Sequence, residues 1–245
     1  MMEKNALHIW PRGAFMMIAL PNPSGDYTCT LFMPFEGEKS FSKLHTESDV
    51  KQFFDEEFPD AVPLMPSLLK DFFTNPTSSL VTVRCYPWSN GGRLTLAGDA
   101  AHAVVPFFGQ GMNCSFEDVM VLDECIGNYY PNWNKAFDEY QKQRKPNADA
   151  IADLAIANYT EMAEKVGDKV FLHKKQVEHK LCELYPNDFK SQYELVTFST
   201  VPYKQAQDRG LVNDLILAYI IDHKLEEQLH NRELILPVIK NKGMM

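Results

Sequence analysis

The sequence predicts an α/β chain, α+β over the residues given, and three observations carry that reading. An alternating hairpin pattern opens the chain. A strand–loop–helix unit follows at "LTLAGDAAHAVVPFFGQGMN" (94–113). From residue 112 onward the apolar spacing turns helical. No complete parallel βαβ sheet can be built from these residues alone.

The elements follow in order. "AFMMIALPN" (14–22) and "YTCTLFMPF" (27–35) are two strands joined by a turn at Pro23-Ser24-Gly25-Asp26. In the second, Tyr27, Cys29, Leu31 and Met33 alternate with Thr28, Thr30 and Phe32. "ESDVKQFFDEEFP" (47–59) is a short amphipathic helix with Ser48 as a candidate cap. Its apolar stripe is Val50, Phe53, Phe54 and Phe58. "PSLLKDFFTNP" (66–76) is a second helix closed by Pro76. "SLVTVRCYPW" (79–88) returns to strand, and a turn at Asn90-Gly91-Gly92 leads into a strand over 93–97. Residues 112–126 form a helix whose stripe of Phe116, Val119, Met120, Leu122 and Ile126 reads as core. Further helices are expected at 133–146, stopped by Pro146, at 147–165, and at 166–185 with Val166, Val170, Val177, Leu181 and Leu184 on one stripe. A charged helical tail covers 205–235.

Composition narrows the function classes. The 245 residues suffice for one large domain or parts of two, and 45% hydrophobic with 23% charged residues is ordinary for a globular chain. The net charge of −9, with no basic run, argues against nucleic acid and against an anionic membrane surface. The longest apolar run, 211–221, is interrupted by Asp214, and the N-terminus lacks the pattern of a signal peptide. Five cysteines without CxxC spacing fit reduced thiols and a cytoplasmic setting. The seven histidines form no ligand pattern, so no metal site is expected.

The glycine loop concentrates the chemistry. A strand ending in Gly98-Asp99 sets a carboxylate where α/β proteins bind ligands, able to accept hydrogen bonds from ligand hydroxyls. Gly109 and Gly111 let backbone approach a flat ring. A helix starting near Gly111 points free N–H groups and partial positive charge at that ring, which suits a group that becomes anionic on reduction. His102 reads as a residue that fixes the local turn. No side chain is required as a nucleophile, and no catalytic side chain is assigned.

"GDAAH", then Pro106, Gly109-Gln110-Gly111, Asn113, Glu117-Asp118 and Leu122, resembles the second flavin-binding motif of the class A flavoprotein aromatic hydroxylases. The flanks "LHIWPRGAFMMIALPN", "CTLFMPF", "FPDAVPL", "VVPFFGQGMN", "NYTEM" and "ELVTFSTVPY" are similar to the kynurenine hydroxylase branch of that family, from about residue 6 to about residue 205. The resemblance implies FAD as cofactor, NADPH as co-substrate and O2 as oxidant. It implies hydroxylation of L-kynurenine to 3-hydroxykynurenine through a flavin C4a-hydroperoxide, a step of tryptophan degradation. It assigns Asp99 to the flavin ribityl chain, and Gly109, Gly111, Met112 and Asn113 to the isoalloxazine ring. Pro106 and Phe107 match the loop over the reacting face, and Asn158 and Tyr193 match residues that bind the substrate's amino-acid end. Phe32 is either a core strand residue or a wall of the ring pocket.

The resemblance also implies a class A hydroxylase fold without its N-terminal Rossmann-like βαβ unit, since no GxGxxG occurs in the sequence. The family's substrate-binding Arg and Tyr and its middle DG motif would precede Met1. The expected organisation is 1–92 as part of the substrate-domain sheet with short helices, 93–146 as the C-terminal part of the FAD-binding domain, and 147–245 as a helical C-terminal region. On this reading the chain is a fragment that binds FAD weakly or not at all by itself, and the complete protein is a soluble, cytoplasmic homodimer. Two other readings stay open: another class A aromatic hydroxylase, or a non-catalytic module that pairs with a separate flavin-binding chain.

Overall fold

The structure is a computed structural model and describes residues 2–165 and 168–242. The chain divides into two compact units, Met1–Ser79 with Thr160–Asp168, and Leu80–Tyr159 with Lys169–Met245.

The first unit is built on an antiparallel sheet in the order β1 (His8–Pro11), β2 (Met16–Pro21), β3 (Tyr27–Phe32). The expected hairpin is present, with Met17 opposite Leu31 and Ala19 opposite Cys29. The turn closes through Asn22 N–H to Asp26 C=O (2.9 Å) and Gly25 N–H to Asn22 C=O (3.0 Å), with Gly25 at φ +89. The strand at 8–11 is an addition to the sequence reading. Its register, Trp10 against Met17, puts Trp10 beside the core of Phe15, Met17, Leu31 and Met33.

Against that core lies α1 (Glu47–Glu57), whose Val50, Phe53 and Phe54 are buried, as is Phe58 just beyond it. The cap is Thr46, two residues before the expected Ser48. Its hydroxyl accepts from Asp49 N–H while Asp49 accepts from Thr46 N–H, a reciprocal capping box. α2 (Leu68–Thr74) is shorter than the segment read for it but lies within it. The last turn of α1 is tied to the strands by Arg12, which donates to the Glu57 carbonyl and lies over the Phe58 ring at 4.9 Å.

The second unit departs most from the sequence reading. Neither 79–88 nor 93–97 is a strand; they are joined by the bridge of Ser89 to Thr95 and by Leu96 N–H donating to the Trp88 carbonyl at 3.0 Å. Their backbone is also held by a helix. Gln141 accepts the Trp88 N–H at 2.9 Å, and Tyr140 donates to the Leu96 carbonyl at 3.2 Å. Strand-like composition makes a strand only where a ladder partner is available, and here α5 side chains take two of the backbone groups. Gly92, at φ +69, has room for no Cβ, because Asn134 N would lie 2.7 Å from it.

The helices of this unit are α3 (Asp99–His102), α4 (Gly111–Tyr129), α5 (Trp133–Thr160), α6 (Lys169–Leu184), α7 (Gln192–Thr197), α8 (Tyr203–Asp222) and α9 (Arg232–Lys242). Pro146 does not stop a helix. α5 runs through it, because Tyr140, Gln141 and Arg144 before it and Ala148, Ile151, Leu154 and Ala155 after it are all buried on one continuous face. That packing outweighs the hydrogen bond the proline removes. The tail is two helices, α8 and α9, separated at 223–231. In α6, Val177 and Leu181 are buried but Val170 is exposed; Val166 lies outside the described residues. α6, α8 and α9 share a core of Val177, Leu181, Tyr185, Ile216, Ile220 and Ile239.

The stripe on α4 is the sharpest correction. Phe116, Val119 and Met120 are 61%, 59% and 64% exposed, and Met112 is 67% exposed. What α4 buries is the opposite face, Cys114, Asp118 and Cys125. Of the expected stripe, Leu122 and Ile126 do pack against the core around Trp88 and Cys125, while Phe116, Val119 and Met120 turn away from it.

Thr46→Ala removes one half of the capping box and is expected to cost about 1 kcal/mol of stability. Urea unfolding of the two proteins, compared at equal slope, measures it.

Candidate functional site

The second unit brings the glycine loop, α4 and the middle of α5 together. Gly98 stands at φ +61, ψ −145, a conformation open to glycine alone, and a Cβ on it would lie 3.1 Å from Ser115 Oγ. From that kink the chain enters the short turn of α3. The Gly98 carbonyl accepts from Ala101 N–H (2.8 Å) and His102 N–H (3.0 Å). Asp99, first residue of the turn, is exposed, and its side chain makes no hydrogen bond to another described residue.

The loop then passes Pro106–Phe108 as one 3-10 turn and reverses at Gly109, φ +66, where a Cβ would meet nothing within 4 Å. α4 starts at Gly111. Its N-cap, Gln110, provides no side-chain cap. Gln110 is buried and its amide oxygen accepts instead from Tyr203 Oη and Asn113 Nδ2, both at 3.0 Å. The N–H groups of Gly111, Met112 and Asn113 thus head a 19-residue helix with no capping side chain and no acid in its first turn.

Behind this surface lies a buried ionic cluster. Asp118 is fully buried. Its Oδ2 meets His102 Nε2 at 2.5 Å and accepts from Gly98 N–H at 2.9 Å, and its Oδ1 accepts from Arg144 Nε at 2.7 Å. Arg144 also donates to Glu117 at 2.7 Å and to the Cys114 carbonyl at 3.1 Å. The His102 ring stacks on Trp88, centroids 5.3 Å apart. Burial works against the His102 charge, but the Asp118 carboxylate more than offsets it and holds the imidazole well above its ordinary value. Burial likewise works against the Asp118 charge, and its hydrogen bonds from His102, Arg144 and Gly98 outweigh that and keep it below the usual carboxylate range.

His102, Cys114 and Asp118 offer ligand atoms within 4.8 Å of one another, close enough to ask about a metal ion. The donor set does not fit one. Both Asp118 oxygens are taken by N–H donors, and the Arg144 guanidinium lies against the same carboxylate and 3.3 Å from Cys114 Sγ. A second cation there would meet a fixed positive charge.

The residues expected to bind substrate divide between the units. Phe32 ends β3 in the first unit and is half-buried. In the second, Pro106 is exposed and Phe107 packs on Tyr159 at 4.6 Å. Asn158 donates to the Phe107 carbonyl at 2.7 Å, so it braces the loop. Tyr193 is exposed and lies beside Phe108, centroids 6.0 Å apart. The sequence reading did not single out Arg144, Trp88, Tyr140 or Gln141. The one available signal was an acid, Asp118, four residues from Cys114 on the buried face of α4, which demands a cationic partner.

The sequence has relatives among known proteins. The FAD binding domain family matches residues 7–155. The kynurenine 3-monooxygenase of Dictyostelium discoideum is 50% identical over 246 residues, covering 96% of this chain and 54% of that protein. That of Myxococcus xanthus is 52% identical over 217 residues, covering 89% and 47%. The chain spans about half the length of these curated relatives. Among solved structures, the tetrameric form of 2-methyl-3-hydroxypyridine-5-carboxylic acid oxygenase aligns at 20% identity with a TM-score of 0.49, over 65% of this chain and 41% of that one, a likeness too slight to rest an argument on.

The cluster sets a pH dependence. A histidine whose folded pKa is raised from 6.5 to about 9 contributes stability that is complete below 6.5 and is lost as pH rises through 9. Asp118, shifted down from 3.8, contributes above that value and loses its share as pH falls through its folded pKa. Urea midpoints of the wild type are therefore expected to fall between pH 6.5 and 9 relative to those of His102→Gln, which keeps a donor but cannot titrate. Parallel curves would refute the charged pair.

Proposed function

The chain belongs to the FAD binding domain family, and from that premise we propose that it forms part of an FAD- and NADPH-dependent monooxygenase that hydroxylates L-kynurenine with O2. The observation that carries the reading is the surface from Gly98 to Asn113. An exposed carboxylate on a glycine-only kink stands in the same loop as an open glycine turn and the uncapped head of a long helix. The residues fit a flavin. Asp99 would accept from ribityl hydroxyls, Gly109 and Gly111 would leave room for the ring, and the N–H groups of Met112 and Asn113 would donate to it at a helix end that favours negative charge. When bound, the flavin supplies the oxygen-activating chemistry.

The chain's own residues bind, orient and exclude water. Pro106 and Phe107 border the reacting face, with Asn158 fixing the Phe107 carbonyl. Tyr193 and Asn158 offer hydrogen bonds to the amino-acid end of the substrate. The choice of L-kynurenine is supported by 50% and 52% identity to two kynurenine 3-monooxygenases. The exposed face of α4, Met112, Phe116, Val119 and Met120, supports a further element: a nucleotide-binding segment with its own glycine-rich turn covers this face in the working enzyme.

The test pairs this chain with the half of the Dictyostelium discoideum relative that it does not match and measures retained FAD, NADPH oxidation and product by mass spectrometry. The expected result is flavin retention and kynurenine-dependent formation of 3-hydroxykynurenine. Asp99→Ala in the same pair is expected to weaken FAD by about 10-fold or more, the scale of one lost charge-assisted hydrogen bond. Flavin retention with a product from another aromatic substrate, and none from kynurenine, would refute the substrate. Failure to retain flavin at all would refute the cofactor site.

A further inference from the structure

We propose that Asp118 is a positioning residue for the flavin surface: its carboxylate, gripped by His102 and Arg144, holds the Gly98–Asp99 kink against α4, so that Asp99 and the helix head present themselves in one fixed arrangement. The proposal rests on the flavin reading above.

Cys85 and Val83 also hold the segment, at the Ala101 and Ala103 carbonyls, but Asp118 alone takes the N–H at the kink. Its Oδ2 takes the Gly98 N–H, the backbone group at the kink itself, and the His102 ring, the last side chain of the turn that carries Asp99. One oxygen thus fastens both ends of a five-residue segment. The other oxygen is fastened to Arg144 on α5, and Arg144 holds the Cys114 carbonyl one turn up α4 from Asp118. Asp118 makes no side-chain hydrogen bond to Asp99. It acts through the backbone it pins. Glu117 is the control supplied by the molecule: it shares Arg144 but makes no contact with the loop, and its side chain is partly exposed.

A glycine at φ +61, ψ −145 needs such a clamp. Glycine pays more conformational entropy than any residue on being fixed, and the surrounding loop 103–110 has few backbone hydrogen bonds of its own. Without the carboxylate, the Gly98 N–H and the His102 ring lose their common acceptor, and the buried Arg144 loses its principal partner.

Hydrogen exchange on the full chain tests this peptide by peptide, for wild type, Asp118→Asn, His102→Gln and Glu117→Gln. Asp118→Asn is expected to speed exchange across residues 96–113 by about 10-fold or more while peptides from α8 and α9 keep wild-type rates, the mark of local rather than global opening. His102→Gln keeps a donor and is expected to speed the same peptides by a smaller factor. Glu117→Gln is expected to match wild type. Wild-type rates at 96–113 in both Asp118→Asn and His102→Gln, or equal acceleration everywhere, overturns the proposal by reducing Asp118 to an ordinary core residue. Should Asp118→Asn not fold, the same comparison in His102→Gln decides. A second arm adds FAD to the chain paired with the same half of the relative. FAD is expected to slow exchange at 96–113 in wild type and much less in Asp118→Asn. If FAD slows nothing in wild type, the flavin reading fails, while the ligand-free rates still judge the clamp.

Discussion

The second unit is organised around one buried carboxylate. Placing Asp118 out of water costs several kcal/mol unless its oxygens are fully hydrogen-bonded to cationic donors. It recovers that cost only where a backbone N–H, an imidazolium and a guanidinium converge, and each comes from a different stretch of chain: Gly98, His102 and Arg144. Meeting that demand docks α5 against α4 and folds the loop back onto both. Trp88 and Tyr140 then seal the cluster, with Trp88 stacked on the His102 ring and Tyr140 in contact with Trp88 at 5.8 Å. Apolar contact alone would hold the helices together, but it would not choose the backbone angle at Gly98.

That dependence explains what could and could not be read from the sequence. The hairpin at 14–35 and the stripe of α1 were legible because their partners are near in sequence and their periodicities are unambiguous. The loop was legible because glycine and small residues announce their backbone needs locally. Arg144 was not, since it sits 26 residues from Asp118, in a charged stretch that reads as solvent-facing. The strands expected at 79–88 and 93–97 failed for the converse reason: local composition named a strand, but the segments form one bridge only, and α5 side chains take the Trp88 N–H and the Leu96 carbonyl. Pro146 shows the same priority, a local breaker overruled by a buried face that extends on both sides of it.

The stripe of α4 is a different kind of departure. Met112, Phe116, Val119 and Met120 follow each other at helical spacing and still face outward. Burying four such side chains is worth roughly 1.5–3 kcal/mol each, which is large beside the net stability of a domain. The sequence is therefore consistent with a covered face, and the face begins at Met112, inside the surface we assign to the flavin ring. Cofactor and covering segment would meet at one edge, so that ordering either one favours the other.

The charges around α4 are arranged to keep its head electropositive. Glu117 and Asp118 lie two turns into the helix, and each is matched: Arg144 pairs with both, and His102 with Asp118. Two anions against two cations leave the cluster without net charge when His102 is protonated. The first turn carries no acid, and Gln110, the residue in the cap position, spends its amide oxygen on Tyr203 and Asn113 and not on the helix N–H groups. Had either carboxylate been unpaired, its field would oppose the partial positive charge at the helix head across a low-dielectric interior. The paired cluster positions the loop without cancelling the field that the loop presents. On the proposed flavin reading, a ring edge that gains negative charge on reduction would meet donors whose partial charge is left intact, which is what matched ions in the clamp allow.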